Sequence, residues 1–281
     1  MNKISIFGLG LLGGSIGLIS QKNNLAKQVI GLTRNPNNSQ KINELKLVNK
    51  LTSDLEDIKN SDLIILATPI GQFEDILKKI EPFVSQKTLI TDVGSTKESV
   101  LISAKKILGN KYKNFVGSHP IAGSEKHGPE AAFENLFDNK TVIVTPHESN
   151  KKDALLFVKN FWHKIGCNVI EMNAKDHDNI FSTVSHLPHA LSFIFMNLIN
   201  QKTNADELLN YAASGFKDFT RIAGSSPEMW LDIFQNNKSF CIDNLQNFKD
   251  LIDQFIKSMA SDKDLKEFIT KASQTRKNWK N

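Results

Sequence analysis

The stretch Ile4 to Ser15, ISIFGLGLLGGS, constrains this chain more than any other. A short apolar run enters a turn built on Gly8-Leu9-Gly10-Leu11-Leu12-Gly13, and an amphipathic stretch follows from Ser15. The GxGxxG spacing alone is weak, but between a strand and a helix at the head of a βαβ unit it has a mechanical meaning. The first glycine allows the tight turn, the second lets a pyrophosphate approach the backbone, and the third permits close packing of the helix. The helix N-terminus in turn offers unpaired N–H groups and a favourable dipole to the phosphates. Gly8, Gly10, Leu11, Leu12 and Gly13 are therefore the expected cradle of a dinucleotide, with a glycine-rich turn that binds nothing as the competing reading.

The next strand bears on which nucleotide. An NAD-binding unit typically ends it with Asp or Glu, about 20 residues past the glycines, to bond the ribose 2′-hydroxyl. Here the strand runs Val29-Ile30-Gly31-Leu32-Thr33-Arg34: Thr33 replaces the acid, and Arg34 is suited to pair with a 2′-phosphate. NADP is the expected cofactor, NAD the alternative, and the alternative role for Arg34 is a solvated loop charge.

Short apolar runs alternate with longer amphipathic ones through the first half of the 281 residues. Lys3 to Phe7, Gln28 to Leu32, Leu63 to Ala67, Thr88 to Asp92, Asn114 to Gly117 and Thr141 to Thr145 read as strands, and Lys151 to Ile165 as a helix. This is the rhythm of a parallel sheet covered by helices. After Met172 apolar residues recur at helical spacing, as in Leu245, Phe248, Leu251, Ile252, Phe255, Ile256 and Met259. The expected architecture is α/β: a doubly wound parallel sheet of the Rossmann type over residues 1–170, then an all-helical domain over 171–281.

Composition excludes several classes. A hydrophobic content of 40% with 23% charged residues is that of an ordinary globular protein. The net charge of +5 is diffuse and mixed with acids, which argues against nucleic acid as a partner. The N-terminal apolar run imitates a secretory signal, but glycines crowd it and no small-residue cleavage site closes it. No stretch reaches the roughly 20 apolar residues of a membrane span. Cys167 and Cys241 form no metal-type spacing and fit a reducing compartment, so a cytoplasmic location is expected.

In doubly wound sheets ligands lie beyond the carboxyl ends of the strands. Thr68 and Pro69, then Asp92-Val93-Gly94-Ser95, then His119-Pro120 follow successive strands and share that edge with the glycine turn. A dehydrogenase acting on an alcohol needs a group to take the hydroxyl proton, and the imidazole of His119 suits that task. Ser95 is placed to orient the ring or to cap the helix ahead of Thr96-Lys97-Glu98. In the helical half Arg221 is a natural clamp for a substrate carboxylate, or alternatively a helix-end salt bridge. His177, His186 and His189 lack the spacing and carboxylate partners of a zinc site, so no metal is expected, and His177 reads as part of a helix start.

With these pieces assembled the chain resembles the prephenate and arogenate dehydrogenase family of tyrosine biosynthesis. The motifs GLGLLGGS, TDVGSTK, GSHPIAGSEKHG, STVSHLPH and SGFKDFTRIAGSSPEMW occur in family order across nearly the whole length. The resemblance implies oxidative decarboxylation of prephenate or arogenate, with His119 handling the hydroxyl proton and Ser95 orienting it. It further implies that Arg221, His186, Ser124 and Glu125 contribute to substrate binding. Trp230 either lines the pocket or fills the helical core, Asp218 flanks the site, and two chains pair through their helical domains. Two rivals stand beside this reading. One is a β-hydroxyacid-type dehydrogenase relying on a lysine, for which Lys217 is the candidate, and the other is a dinucleotide-binding protein without turnover.

Overall fold

Along the central strands, alternate side chains leave on opposite faces of a sheet, and this period of two divides the core. Ile4, Ile6, Leu63 and Ile65 pack on one face with Ile16, Phe161 and Trp162. Phe7, Ile64 and Leu66 pack on the other with Phe73, Leu77 and Leu108. A strand buried on both faces must be apolar throughout, and Leu63-Ile64-Ile65-Leu66 is.

The computed structural model describes residues 1–33, 39–123 and 126–279. Among these residues eight strands form one sheet: β1 (Lys3–Phe7), β2 (Gln28–Leu32), β3 (Lys50–Thr52), β4 (Leu63–Leu66), β5 (Leu89–Asp92), β6 (Phe115–Pro120), β7 (Thr141–Thr145) and β8 (Asn168–Glu171). Their spatial order is β3-β2-β1-β4-β5-β6-β7-β8. The order reverses direction between β1 and β4, which makes the carboxyl end of β1 the crevice where ligands bind in such sheets.

Three features depart from the sequence reading. β3 is an additional strand at one edge, three residues long and too short to show alternation, and β8 is an additional strand at the other edge, parallel to β7. β7 runs antiparallel to β6, with Gly117 opposite Thr145 and His119 opposite Ile143. A parallel return needs a long crossover, usually helical. Among the described residues between β6 and β7 there is only one short turn of helix, Pro129–Ala131, so the chain doubles back beside its own strand.

The sheet is flanked by α1 (Leu11–Lys22), α2 (Ser39–Glu44), α3 (Phe73–Ile80), α4 (Glu98–Leu108) and α5 (Lys152–Ile165). The remainder is helical: α6 (Ala174–Phe181), α7 (Leu187–Asn200), α8 (Ala205–Asn210), α9 (Ser214–Thr220), α10 (Pro227–Asn236), α11 (Lys238–Ser258) and α12 (Asp262–Asn278). Between α6 and α7 the backbone widens over Ser182–His186. Pro188 explains it, since proline offers no amide to the carbonyl four residues back and crowds it. No helix among the described residues is long and apolar enough to cross a membrane.

Candidate active site

The glycine turn shows which of its glycines the fold itself requires. Gly8 has φ +88°. A Cβ on Gly13 would lie 1.9 Å from the carbonyl oxygen of Gly8, so the helix can pack against the turn only through a bare backbone. Gly10 differs: its φ of −80° suits any residue, and a Cβ there would meet nothing within 4 Å. Its bareness is unexplained by the protein and fits a group approaching from outside. Gly10 is also the N-terminal flank of α1, which has no side-chain cap and no acid in its first turn. Unpaired N–H groups at such an end favour an anion.

A cavity of about 500 Å³ opens at this turn, lined by Gly8, Gly10, Thr33, Thr68, Gly128 and Pro129 among others. Leu11, Leu12, Gly13 and Pro69 belong to the same turn and edge without lining it. Arg34, Ser124 and Glu125 lie outside the described residues. The cradle fits a dinucleotide and gives a contrast to test. Gly10→Ala should keep the wild-type thermal midpoint and weaken dinucleotide binding by about tenfold or more, equivalent to about 1.4 kcal/mol. Gly13→Ala should lower stability by about 1–3 kcal/mol through the backbone clash. Undiminished dinucleotide affinity in Gly10→Ala, measured by titration, would reduce the turn to a structural device.

Farther along the same edge, β6 delivers His119. Its neighbour Ser118 faces inward, where its hydroxyl accepts from Trp162 Nε1 at 3.0 Å. The Ser118 amide donates to Asp92 Oδ1 at 3.1 Å, and its carbonyl accepts from Lys97 Nζ at 2.8 Å. Lys97 also pairs with the Asp92 carboxylate, and both side chains are fully buried. This ion pair joins the ends of β5 and β6 beneath His119. Burial lowers the pKa of the Lys97 ammonium, and the pull of Asp92 opposes that shift.

His119 itself is half-buried. Its Nδ1 lies 2.8 Å from Nε2 of His177, and the ring of Phe181 tilts against it at 4.9 Å. His177 Nδ1 lies 2.7 Å from Asp178 Oδ1. Asp178 also accepts the backbone N–H groups of Lys97, at 2.7 Å, and Glu98, at 2.9 Å. These are orphan donors at the start of α4, so a carboxylate from the helical half caps a helix of the sheet domain. The cap expected of Ser95 is thus made by Asp178, and the ring partner shown for His119 is His177 rather than Ser95. Burial first, then the neighbouring charges of His177, Lys97 and His186, hold the His119 pKa well below 6.5. Burial lowers the His177 pKa too, against the pull of Asp178.

His186 is almost fully buried, and Asn237 Nδ2 lies 3.1 Å from its Nδ1; burial lowers its pKa to about 4. The same Asn237 amide donates to the Asp178 carbonyl at 2.8 Å, tying α11 to the site. His189 stacks on Trp230 at 3.8 Å between centroids. Trp230 is 4% exposed and packs among Phe193 and Phe234, so in this chain it fills the helical core. Arg221 is exposed at the end of α9; burial lowers the His189 pKa, and the Arg221 charge adds to that in smaller measure. Lys217 has a place on α9 and no contact with the His119 cluster among those described. Sequence reasoning did not single out Lys97, Asp178 or Asn237, and it gave His177 no chemistry.

Two family models match the chain. "Prephenate dehydrogenase, nucleotide-binding domain" spans residues 16–171, and "Prephenate dehydrogenase, dimerization domain" spans residues 173–273. The chain is 37% identical to the prephenate dehydrogenase of Bacillus subtilis over 256 residues, covering 89% of this chain and 68% of that protein. Among solved structures it is similar to prephenate dehydrogenase from A. aeolicus in complex with hydroxyphenyl propionate and NAD+. That match has a TM-score of 0.90 at 35% identity and covers 98% of this chain and 97% of that one. Synechocystis arogenate dehydrogenase matches with a TM-score of 0.82 at 28% identity, covering 98% and 99%.

Proposed function

The chain belongs to the prephenate dehydrogenase family, and from that premise we propose that it catalyses the NADP-dependent oxidative decarboxylation of prephenate to 4-hydroxyphenylpyruvate. The observation that carries the reading is His119, an imidazole kept neutral by burial on the same edge of the sheet as the glycine cradle. A nicotinamide dinucleotide, when bound, supplies the acceptor for the hydride on the ring carbon that bears the 4-hydroxyl. Gly8, Gly10, Thr33 and Thr68 hold it, with Leu11, Leu12, Gly13 and Pro69 shaping the turn and edge. His119 takes the hydroxyl proton and returns it to the oxygen once the ring carboxylate has left as carbon dioxide. Aromatisation makes the loss of carbon dioxide downhill.

Arg221 is assigned to a substrate carboxylate, since a guanidinium suits that group and this one lies within electrostatic reach of His189. Ser95, Ser124, Glu125 and His186 are assigned to the shell around the substrate, Ser95 on the loop after β5 and His186 on the wide turn before α7. Two chains pair through the helical half, which leaves Ile194, Leu198, Leu251, Ile252, Ile256 and Met259 exposed in the single chain. The two cysteines are unpaired and buried, in keeping with the cytoplasm.

The preference for NADP rests on Thr33 standing where an acid would read the ribose hydroxyl, with Arg34 next in sequence. Arogenate is the second reading for the substrate, favoured by the likeness to the Synechocystis enzyme. Initial rates of nicotinamide reduction, with prephenate or arogenate crossed with NADP or NAD, test all of this. The fastest rate is expected for prephenate with NADP. Turnover only with NAD would make Arg34 a loop charge, and no rate in any combination would favour a binding protein.

A further inference from the structure

An imidazole acts as a base only through the nitrogen that carries no proton, so the tautomer of His119 decides whether it can work. The hydrogen bonds around it determine that tautomer by elimination. Backbone amides can only donate, so both oxygens of Asp178 are acceptors, Oδ1 from Lys97 at 2.7 Å and Oδ2 from Glu98 at 2.9 Å. The Asp178 carboxylate sits at the N-terminal end of α4, where the helix dipole attracts negative charge. Its third contact, His177 Nδ1 at 2.7 Å, must then be a donor. His177 therefore carries its proton on Nδ1 and presents a lone pair at Nε2.

That lone pair lies 2.8 Å from His119 Nδ1, which in turn must donate. The unprotonated nitrogen of His119 is Nε2. We propose that His177, anchored by Asp178, is the positioning residue that fixes His119 as its Nδ1–H tautomer and so makes Nε2 the proton acceptor. This rests on the reading of His119 as the base.

The surroundings leave little room for another arrangement. The His177 side chain is fully buried, and Phe181 lies against both rings, 4.9 Å from that of His119 and 4.6 Å from that of His177. Among the described residues, the charged and titratable groups acting on the two rings are Lys97 and Asp92 from the β5–α4 region, Asp178 from α6, and His186 from the wide turn. Lys97 is engaged by Asp92 and the Ser118 carbonyl, and Asn237 lies at Nδ1 of His186. When His119 gains a proton, its Nδ1–H becomes a charge-assisted donor to His177, roughly twice as strong as the neutral bond. Removing the acceptor should therefore make His119 a weaker base as well as a misdirected one.

The test uses the full chain labelled with 15N-histidine at about pH 8, where the imidazoles are neutral. The His119 spectrum should show a protonated Nδ1 and an unprotonated Nε2, and His177→Phe should shift it toward the other tautomer. In turnover, His177→Phe should lose about a hundredfold in kcat. KM for both substrates should stay within about twofold, and the acid limb of the pH profile should move to lower pH. His177→Gln, whose amide can donate toward Asp178 and accept from His119, should recover about tenfold of that loss. The proposal is overturned by a wild-type His119 protonated on Nε2, or by a Gln variant no faster than the Phe variant. If His177→Phe does not fold, the wild-type spectrum still decides. That spectrum needs no turnover, so an Nδ1–H signal in a protein that reduces no dinucleotide would uphold the arrangement while removing the catalytic reading of His119.

Discussion

His119→Asn is expected to lower kcat by about a hundred- to ten-thousandfold, the range a positioned general base contributes. KM for dinucleotide and substrate should change by less than about threefold. Asparagine keeps a polar group at the end of β6 and can still bond His177, so the cradle at the glycine turn is untouched; what it lacks is a nitrogen that can take a proton. The wild-type pH profile gives the same residue a second test. A base works in its unprotonated form, and burial holds that form in place well below 6.5. Turnover should therefore stay level as pH falls through 6.5 and decline only further down, where the buried ring finally gains its proton. Steady-state rates across that range decide the matter: near-normal turnover in the variant, or a decline already complete at pH 6.5, would remove His119 from the proton path.

The second large effect concerns stability. Lys97→Met should cost about 3–5 kcal/mol, because it leaves the Asp92 carboxylate buried without its cation. The Ser118 carbonyl would lose its Nζ donor in the same step. The midpoint of urea unfolding reports this, and Asp92→Asn placed on the Lys97→Met background should restore part of the loss, since the damage lies in the stranded charge. An unmoved midpoint in Lys97→Met would show that the pair contributes nothing to holding β5 and β6 together.

What could be read from sequence was local. The strand, glycine turn and helix of Ile4 to Ser15 announce themselves because every constraint on them comes from adjacent residues, and the apolar run Leu63 to Leu66 is continuous because both of its faces are covered. His119 was legible because its strand ends on the cofactor edge. The triplet Asp176-His177-Asp178 was not. Asn173 caps α6, accepting from the Asp176 amide at 2.8 Å, so the triplet does sit at a helix start. Nothing in its spacing tells that His177 and Asp178 turn inward toward β6 and α4. The direction of β7 was equally hidden, since a short run of β-formers looks alike whichever way it pairs. For Trp230 the helical core was the safer of two expected roles, and the packing of α7 against α10 places it there.

Asp178 caps a helix of the sheet domain with one carboxylate and steadies the imidazole behind His119 with that same group. A second tether, the Gly71 amide donating to Asp232 at 3.0 Å, joins the halves elsewhere. Chimeras are where this matters. A nucleotide-binding half grafted onto a foreign helical partner would carry its glycine cradle and its histidine intact and would still arrive without the group that orients the histidine. The two halves share one reactive centre, so any exchange of helical domains must bring its own histidine–aspartate pair along with its pocket.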